Sequence, residues 1–215
     1  MTSLPPRAVL AVAVTAAVPL LLVALAHLFL QISIPGMTRD VAAIADIHPL
    51  TGILSTLGIL LWWMSAAIYL FVAHLLSDCQ ERADTGFLVH SGLLSAYFGF
   101  DDLFQFHEFL APTYLMVPEG VVYGILACAV GVYLCRFRRQ LIKPDGPLLL
   151  IALAVLSSSA LNDGVLDPWL WRIQDWSYFV EDGLKWLGIC FWTAFCIVRS
   201  SNAIRSRLHS KPGSR

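Results

Sequence analysis

SAYFGFDDLFQFHEF, from Ser95 to Phe109, sets Asp101, Asp102, His107 and Glu108 among aromatic and aliphatic residues. Carboxylates and imidazoles are the groups with which proteins move protons and hold divalent metals. Glu119, Asp163, Glu181 and Asp182 stand at the edges of other apolar runs, and His27 and His48 at the edges of the first two. Three imidazole nitrogens with one or two carboxylate oxygens would form a zinc-like or iron-like set. The expectation is a divalent metal such as zinc on His27, His48, His107 and Asp101. Asp101, Glu108, Glu119, Asp163, Glu181 and Asp182 would then supply the catalytic acids and bases. The spacing adds no signature: HExxH is absent, and His107-Glu108 is only a fragment of it. A local hydrogen-bonded role is the competing reading for each histidine.

Helical spacing sorts these groups further. On a regular helix Asp101, Gln105 and Glu108 share a face at i, i+4 and i+7, while Asp102 and His107 point elsewhere. Glu181 and Lys185 form an i, i+4 pair in the favourable order, which predicts an ion pair within one helix. Asn162 and Asp163, ahead of Gly164, are plausible helix caps.

The elements that must carry these residues are apolar. Of the 215 residues, 58% are hydrophobic and 13% charged, against about a quarter charged in soluble domains. The mean hydropathy is +0.71. Six apolar windows, 8–30, 50–74, 86–108, 118–135, 147–163 and 178–198, predict an all-α polytopic membrane protein: one domain, a bundle of six transmembrane helices. The last four reach spanning length only by absorbing polar residues. Between Asp84 and Asp101, for example, there are 16 uncharged residues, and a span needs about 20. The connecting segments alternate in charge, 11 basic and 4 acidic residues on one side against 3 and 11 on the other. The positive-inside bias places both termini in the cytoplasm and the acids at the outer ends of their helices, in a bacterial inner membrane. The first window is longer than a signal-peptide core and reads as a retained anchor.

Several lesser features complete the expectation. Gly120, Gly124, Ala127 and Gly131 form a small-residue strip that predicts the closest helix–helix contact. DPWLWRIQDWS reads as a short interfacial helix or an aromatic belt. The five cysteines have no metal-ligand spacing and read as small apolar packing residues. With a net charge of −1 and no aromatic-interleaved basic patch, nucleic acid is excluded as a partner. The functional expectation is a metal-dependent membrane hydrolase with an outer-leaflet cavity, acting on a lipid-linked or periplasmic substrate. The alternatives are a non-catalytic accessory or assembly protein and a proton- or cation-coupled carrier. The expected partners are membrane lipids, with a lipid-linked substrate, a membrane protein or a second copy beyond them.

Overall fold

The computed structural model describes residues 6–77, 82–161 and 175–210. These fall into two compact units, one within Met1–Thr51 and the other within Gly52–Arg215.

The first unit begins with α1 (Pro6–Leu30), a helix without a polar face, as suits lipid on every side. Gln31 then turns the chain with a left-handed backbone (φ 57°). The short α2 (Ile34–Thr38) starts at Ser33, whose Oγ accepts the Gly36 N–H at 3.2 Å. The short α3 (Val41–Ala45) ends at Asp46, again left-handed.

The second unit is built from α4 (Ile53–Leu75), α5 (Arg82–Phe104), α7 (Glu119–Arg136), α9 (Gly146–Leu161) and α10 (Asp175–Ser210). A π-helical turn, Phe106–Leu110, and the short α6 (Ala111–Tyr114) lead from α5 to α7, and the short α8 (Arg138–Leu141) leads from α7 to α9. The helices run alternately up and down. Gln140 and Asp145 meet Arg199 at one end, while His107 meets Tyr123 and Asp102 meets Lys185 at the other.

Four described helices are long and apolar enough to cross a membrane: Ala13–Leu30, Ile53–Leu75, Glu119–Arg136 and Tyr178–Leu208. Six were expected, so the six-span bundle is corrected. The two missing spans have separate causes. α5 has the length, at 23 residues, but its serines, His90 and the aspartate pair keep its mean hydropathy low. α9 is apolar but has only 16 residues. The long apolar helices are those of a membrane protein.

The core gathers Trp62, Tyr69, Phe87, Leu149, Trp192 and Phe195 where α4, α5, α9 and α10 converge. Between helices in lipid, close packing and hydrogen bonds replace the hydrophobic drive. Both are present. A Cβ at Gly92 would lie 2.8 Å from Leu70 Cγ, one at Gly58 2.9 Å from Ile189 Cδ1, and one at Gly188 2.6 Å from Leu156 Cγ. A polar seam runs beside them. Ser65 Oγ bonds Thr193 Oγ1 (3.2 Å), Ser91 Oγ bonds Tyr133 Oη (2.8 Å), and the Trp192 indole N–H donates to Ser95 Oγ (2.8 Å).

The small-residue strip of α7 is not the closest contact. A Cβ at Gly120, Gly124 or Gly131 would meet nothing within 4 Å. Spacing alone does not say whether a small-residue strip faces a neighbour or a void; here Ala127 and Gly131 border a cavity. The interfacial-helix stretch lies outside the described residues up to 174, and from Asp175 the chain is already α10.

At the basic end, Arg199 is buried between the Phe87 and Phe195 rings, its Cζ 5.4 Å from each centroid. Its Nε lies 2.8 Å from Asp145 Oδ2, and its two terminal nitrogens donate to Gln140 Oε1 (3.0 Å) and Gln140 O (2.9 Å). The Gln140 amide in turn donates to Asp84 Oδ1 at 2.6 Å, which Lys143 also approaches at 3.1 Å. One network therefore joins the start of α5, the α7–α9 connection and α10.

Candidate functional site

The site begins with a break in a helix. α5 stops at Phe104, Gln105 takes a left-handed backbone (φ 49°), and the chain resumes as the π turn. Wider π winding and a left-handed residue both rotate the next side chains about the helix axis. His107, which a continuous helix would turn away from Asp101, is swung back onto it. Its backbone N–H donates to Asp101 Oδ1 (3.1 Å) and its Nδ1 lies 2.6 Å from Asp101 Oδ2. Both residues are buried.

The other imidazole nitrogen is also engaged. Nε2 lies 3.1 Å from Tyr123 Oη and 3.3 Å from Glu108 Oε1. The carboxylate on Nδ1 fixes the tautomer, because it needs a proton there. A neutral His107 then accepts from the Tyr123 hydroxyl, and a protonated one donates toward Glu108 as well. Burial opposes charge on the ring, but the hydrogen bonds to Asp101 and Glu108 outweigh it and raise its pKa from 6.5 to about 10.

Asp102 sits beside this group with partners of its own. The Trp62 indole N–H donates to its Oδ2 at 3.0 Å, and Lys185 Nζ lies 2.7 Å from its Oδ1. The lysine expected to pair with Glu181 along α10 instead reaches across to α5. The physical reason is burial: the Asp102 side chain is 8% exposed and needs a cation.

A cavity of about 400 Å³ opens next to these side chains, within the roughly 300–1,000 Å³ usual for small-molecule sites. One end is polar, lined by Asp101, Asp102, His107, Glu108, Glu181 and Lys185. The other end is apolar, lined by Phe98, Leu126, Val130, Leu134, Leu153 and Leu156. Tyr123 stands at the join, and α7 forms one whole wall.

The structure brings together part of the expected set. Asp101, Glu108, Glu181 and His107 line the cavity. Glu119 and Asp182 are exposed and do not line it. Asp163 lies outside the described residues. Asp102, Lys185, Tyr123 and Trp62 belong to the site but were not assigned to it from sequence. The signal for Asp102 was available: two adjacent carboxylates on an apolar helix each require a partner.

The metal expectation is overturned. Among the described residues no group of three or more His, Cys, Asp or Glu side chains could hold a metal ion. His27 and His48 belong to the first unit and serve the backbone there. His27 Nδ1 lies 2.9 Å from Ile32 O, and His48 Nδ1 accepts the Leu50 N–H at 3.2 Å. Asp101 and His107 spend their lone pairs and protons on one another. A metal-dependent hydrolase centred on His27, His48, His107 and Asp101, with zinc as cofactor, is therefore not what these residues build.

No curated protein and no solved structure matches the chain. One family does, described as Domain of unknown function (DUF8692), over residues 8–198. That match covers most of the sequence, and the chain belongs to this family.

Proposed function

We propose that the protein binds an amphiphilic molecule within the membrane, with the apolar chain between α7 and α9 and the polar head against the Asp101–His107 pair. The observation that carries this reading is the gradient along the cavity. Ionisable groups crowd one end and aliphatic side chains the other, within a volume suited to one small ligand. A purely structural polar cluster would need no cavity, and a site for a small polar solute would need no apolar half.

In this reading His107 meets the head as an imidazolium, Asp101 orients it, and Tyr123 and Glu108 hold its second nitrogen. Lys185 and Asp102 form a fixed, mutually neutralising pair beside the head. We place the protein in a bacterial inner membrane. The gathering of Arg136, Arg138, Arg139 and Lys143 near the Arg199 end favours that end facing the cytoplasm.

Native mass spectrometry of the full chain, released from micelles, tests the binding. A bound lipid-sized mass is expected for the wild type and is lost in Val130→Trp, which fills the apolar half. An identical spectrum for both would overturn the proposal.

A further inference from the structure

The walls of the cavity indicate where its ligand comes from; this rests on the amphiphile reading and the sidedness given above. We infer that the cavity takes a bilayer lipid sideways from the outer leaflet, through a gap between α7 and α9, with one acyl chain inside and the other left in the membrane.

α7 is tied at its two ends and stands off between them. Near the outer end Tyr123 Oη lies 3.1 Å from His107 Nε2. Near the inner end Tyr133 Oη bonds Ser91 Oγ at 2.8 Å, and the Tyr133 ring stacks on Phe87 with centroids 5.8 Å apart. Both ties run to α5 and the turn that follows it. α9 packs instead on α10, where a Cβ at Gly188 would lie 2.6 Å from Leu156 Cγ. Among the described residues α7 and α9 make no extended contact with each other. Ala127 on α7 and Ser157 and Ala160 on α9 line the cavity and are exposed. Leu126, Val130, Leu153 and Leu156 line it too and are half-buried. The small residues therefore form a lip, and the larger ones lie behind it.

A gap at that place opens onto lipid. α7 is long and apolar enough to cross a membrane, and α9 is an apolar helix beside it. A chain that came by way of water would expose every methylene in transit, and one that slid in sideways would expose none.

Direction and length also match a lipid of the outer leaflet. The polar lining lies toward the outer ends of the helices, with His107 and Glu108 in the turn after α5. Leu134, at the apolar end, stands two residues before Arg136 at the inner end of α7. Head and tail thus keep the order they have in that leaflet, and the lipid has no need to flip. From Tyr123 to Leu134 the wall runs 11 residues, about 16 Å at a rise of about 1.5 Å per residue. One leaflet of a hydrocarbon core of roughly 30 Å is about 15 Å deep. A volume of about 400 Å³ over that length admits one chain, and the lip lets the second remain outside.

The full chain in nanodiscs tests the route with two photoreactive probes. One is a phosphatidylcholine carrying a diazirine in one of its two acyl chains, and the other a single-chain alkyl glucoside carrying the same group. Adducts are mapped by peptide mass spectrometry. In the wild type both probes are expected to label the inner wall at Leu126, Val130 and Leu153. Exposed Ile125 and Val132, outside the lining, report ordinary lipid contact and an intact fold. Ala160→Trp and, separately, Ser157→Phe narrow the lip. Each is expected to lower inner-wall labelling by the phosphatidylcholine about tenfold, the scale of forcing a chain past one overpacked side chain. Labelling at Ile125 and Val132 should not change, and the glucoside, with no second chain to leave outside, should keep its inner-wall adducts. Moving the diazirine from near the ester toward the methyl end should move the adducts from Leu126 to Leu134. The reverse order would set the lipid head down, from the other leaflet, and overturn the inference. Phosphatidylcholine adducts confined to Ile125 and Val132, with the glucoside still reaching the inner wall, also overturn it and leave amphiphile binding standing. Inner-wall labelling by phosphatidylcholine that ignores both lip variants overturns the sideways route, as does equal loss of both probes in them, which would show that the new side chains fill the cavity. If neither probe reaches the inner wall, the amphiphile reading falls, and this inference with it.

Discussion

Asp101 is the residue on which the site turns. Its two oxygens take the His107 backbone N–H and the His107 ring, so it holds the chain after the helix break as well as the imidazole. Removing it leaves a buried donor without an acceptor, which costs about 1–3 kcal/mol. Asp101→Ala should therefore lower stability by that amount in chemical denaturation, and Asp101→Asn, which keeps one acceptor, by less. A second acid shows a different balance at the opposite end of the bundle. Burial alone would raise the Asp84 carboxyl, but the Gln140 amide and Lys143 outweigh it and hold the group below its usual value of 3.8. A carboxylate lowered on folding stabilises the fold above its unfolded value, and that contribution fades as the pH falls through the lowered one. Asp84→Asn should therefore lower stability at pH 7, where the contribution is fully present, and converge on the wild type below about pH 4. Melting temperatures measured from pH 3 to pH 7 on both proteins check this.

At the scale of the helices, what was legible in the sequence and what was not divide along physical lines. Apolar length marks α1, α4, α7 and α10, because a helix in lipid leaves that imprint directly. The break at Gln105 left no such imprint. Glutamine is not a residue that announces a left-handed turn, and a regular helix was the natural continuation through Glu108. With the break unseen, Asp101 and His107 could not be paired, and Gln105 and Glu108 took the place beside Asp101. Lys185 was misassigned for a related reason: spacing reveals partners on its own helix and is blind to Asp102 on another. Glycine spacing misled in the same way. The tight contacts fall at Gly58, Gly92 and Gly188, and not along the strip on α7. Gly92→Leu and Gly188→Leu should each cost about 1–3 kcal/mol through overpacking. Gly124→Leu, facing open space, should stay within about 0.5 kcal/mol. Thermal melts of the three variants in one detergent decide between the two contact maps.

The second unit as a whole is latched at both ends of α10, by Lys185 on Asp102 and by Arg199 on Asp145 and Gln140. Removing one partner of a buried pair strands the other, at about 3–5 kcal/mol. Arg199→Met should be strongly destabilising, and adding Asp145→Leu should recover much of the loss, since both charges then leave together. A double-mutant cycle by denaturation measures that recovery. Polar side chains are also spaced between the two latches, at Trp62, Ser95, Trp192, Ser91 and Tyr133, bonded in separate groups. In a membrane that stores energy as a proton gradient, such a file invites leakage. The two indoles close it. A relay requires each member to accept a proton as well as give one, and an indole nitrogen only gives. Trp62 donates to Asp102 and Trp192 donates to Ser95, so a proton reaching Asp102 has no onward path through either ring. The bundle gains hydrogen bonds along its length while remaining, along these bonds, an electrical insulator.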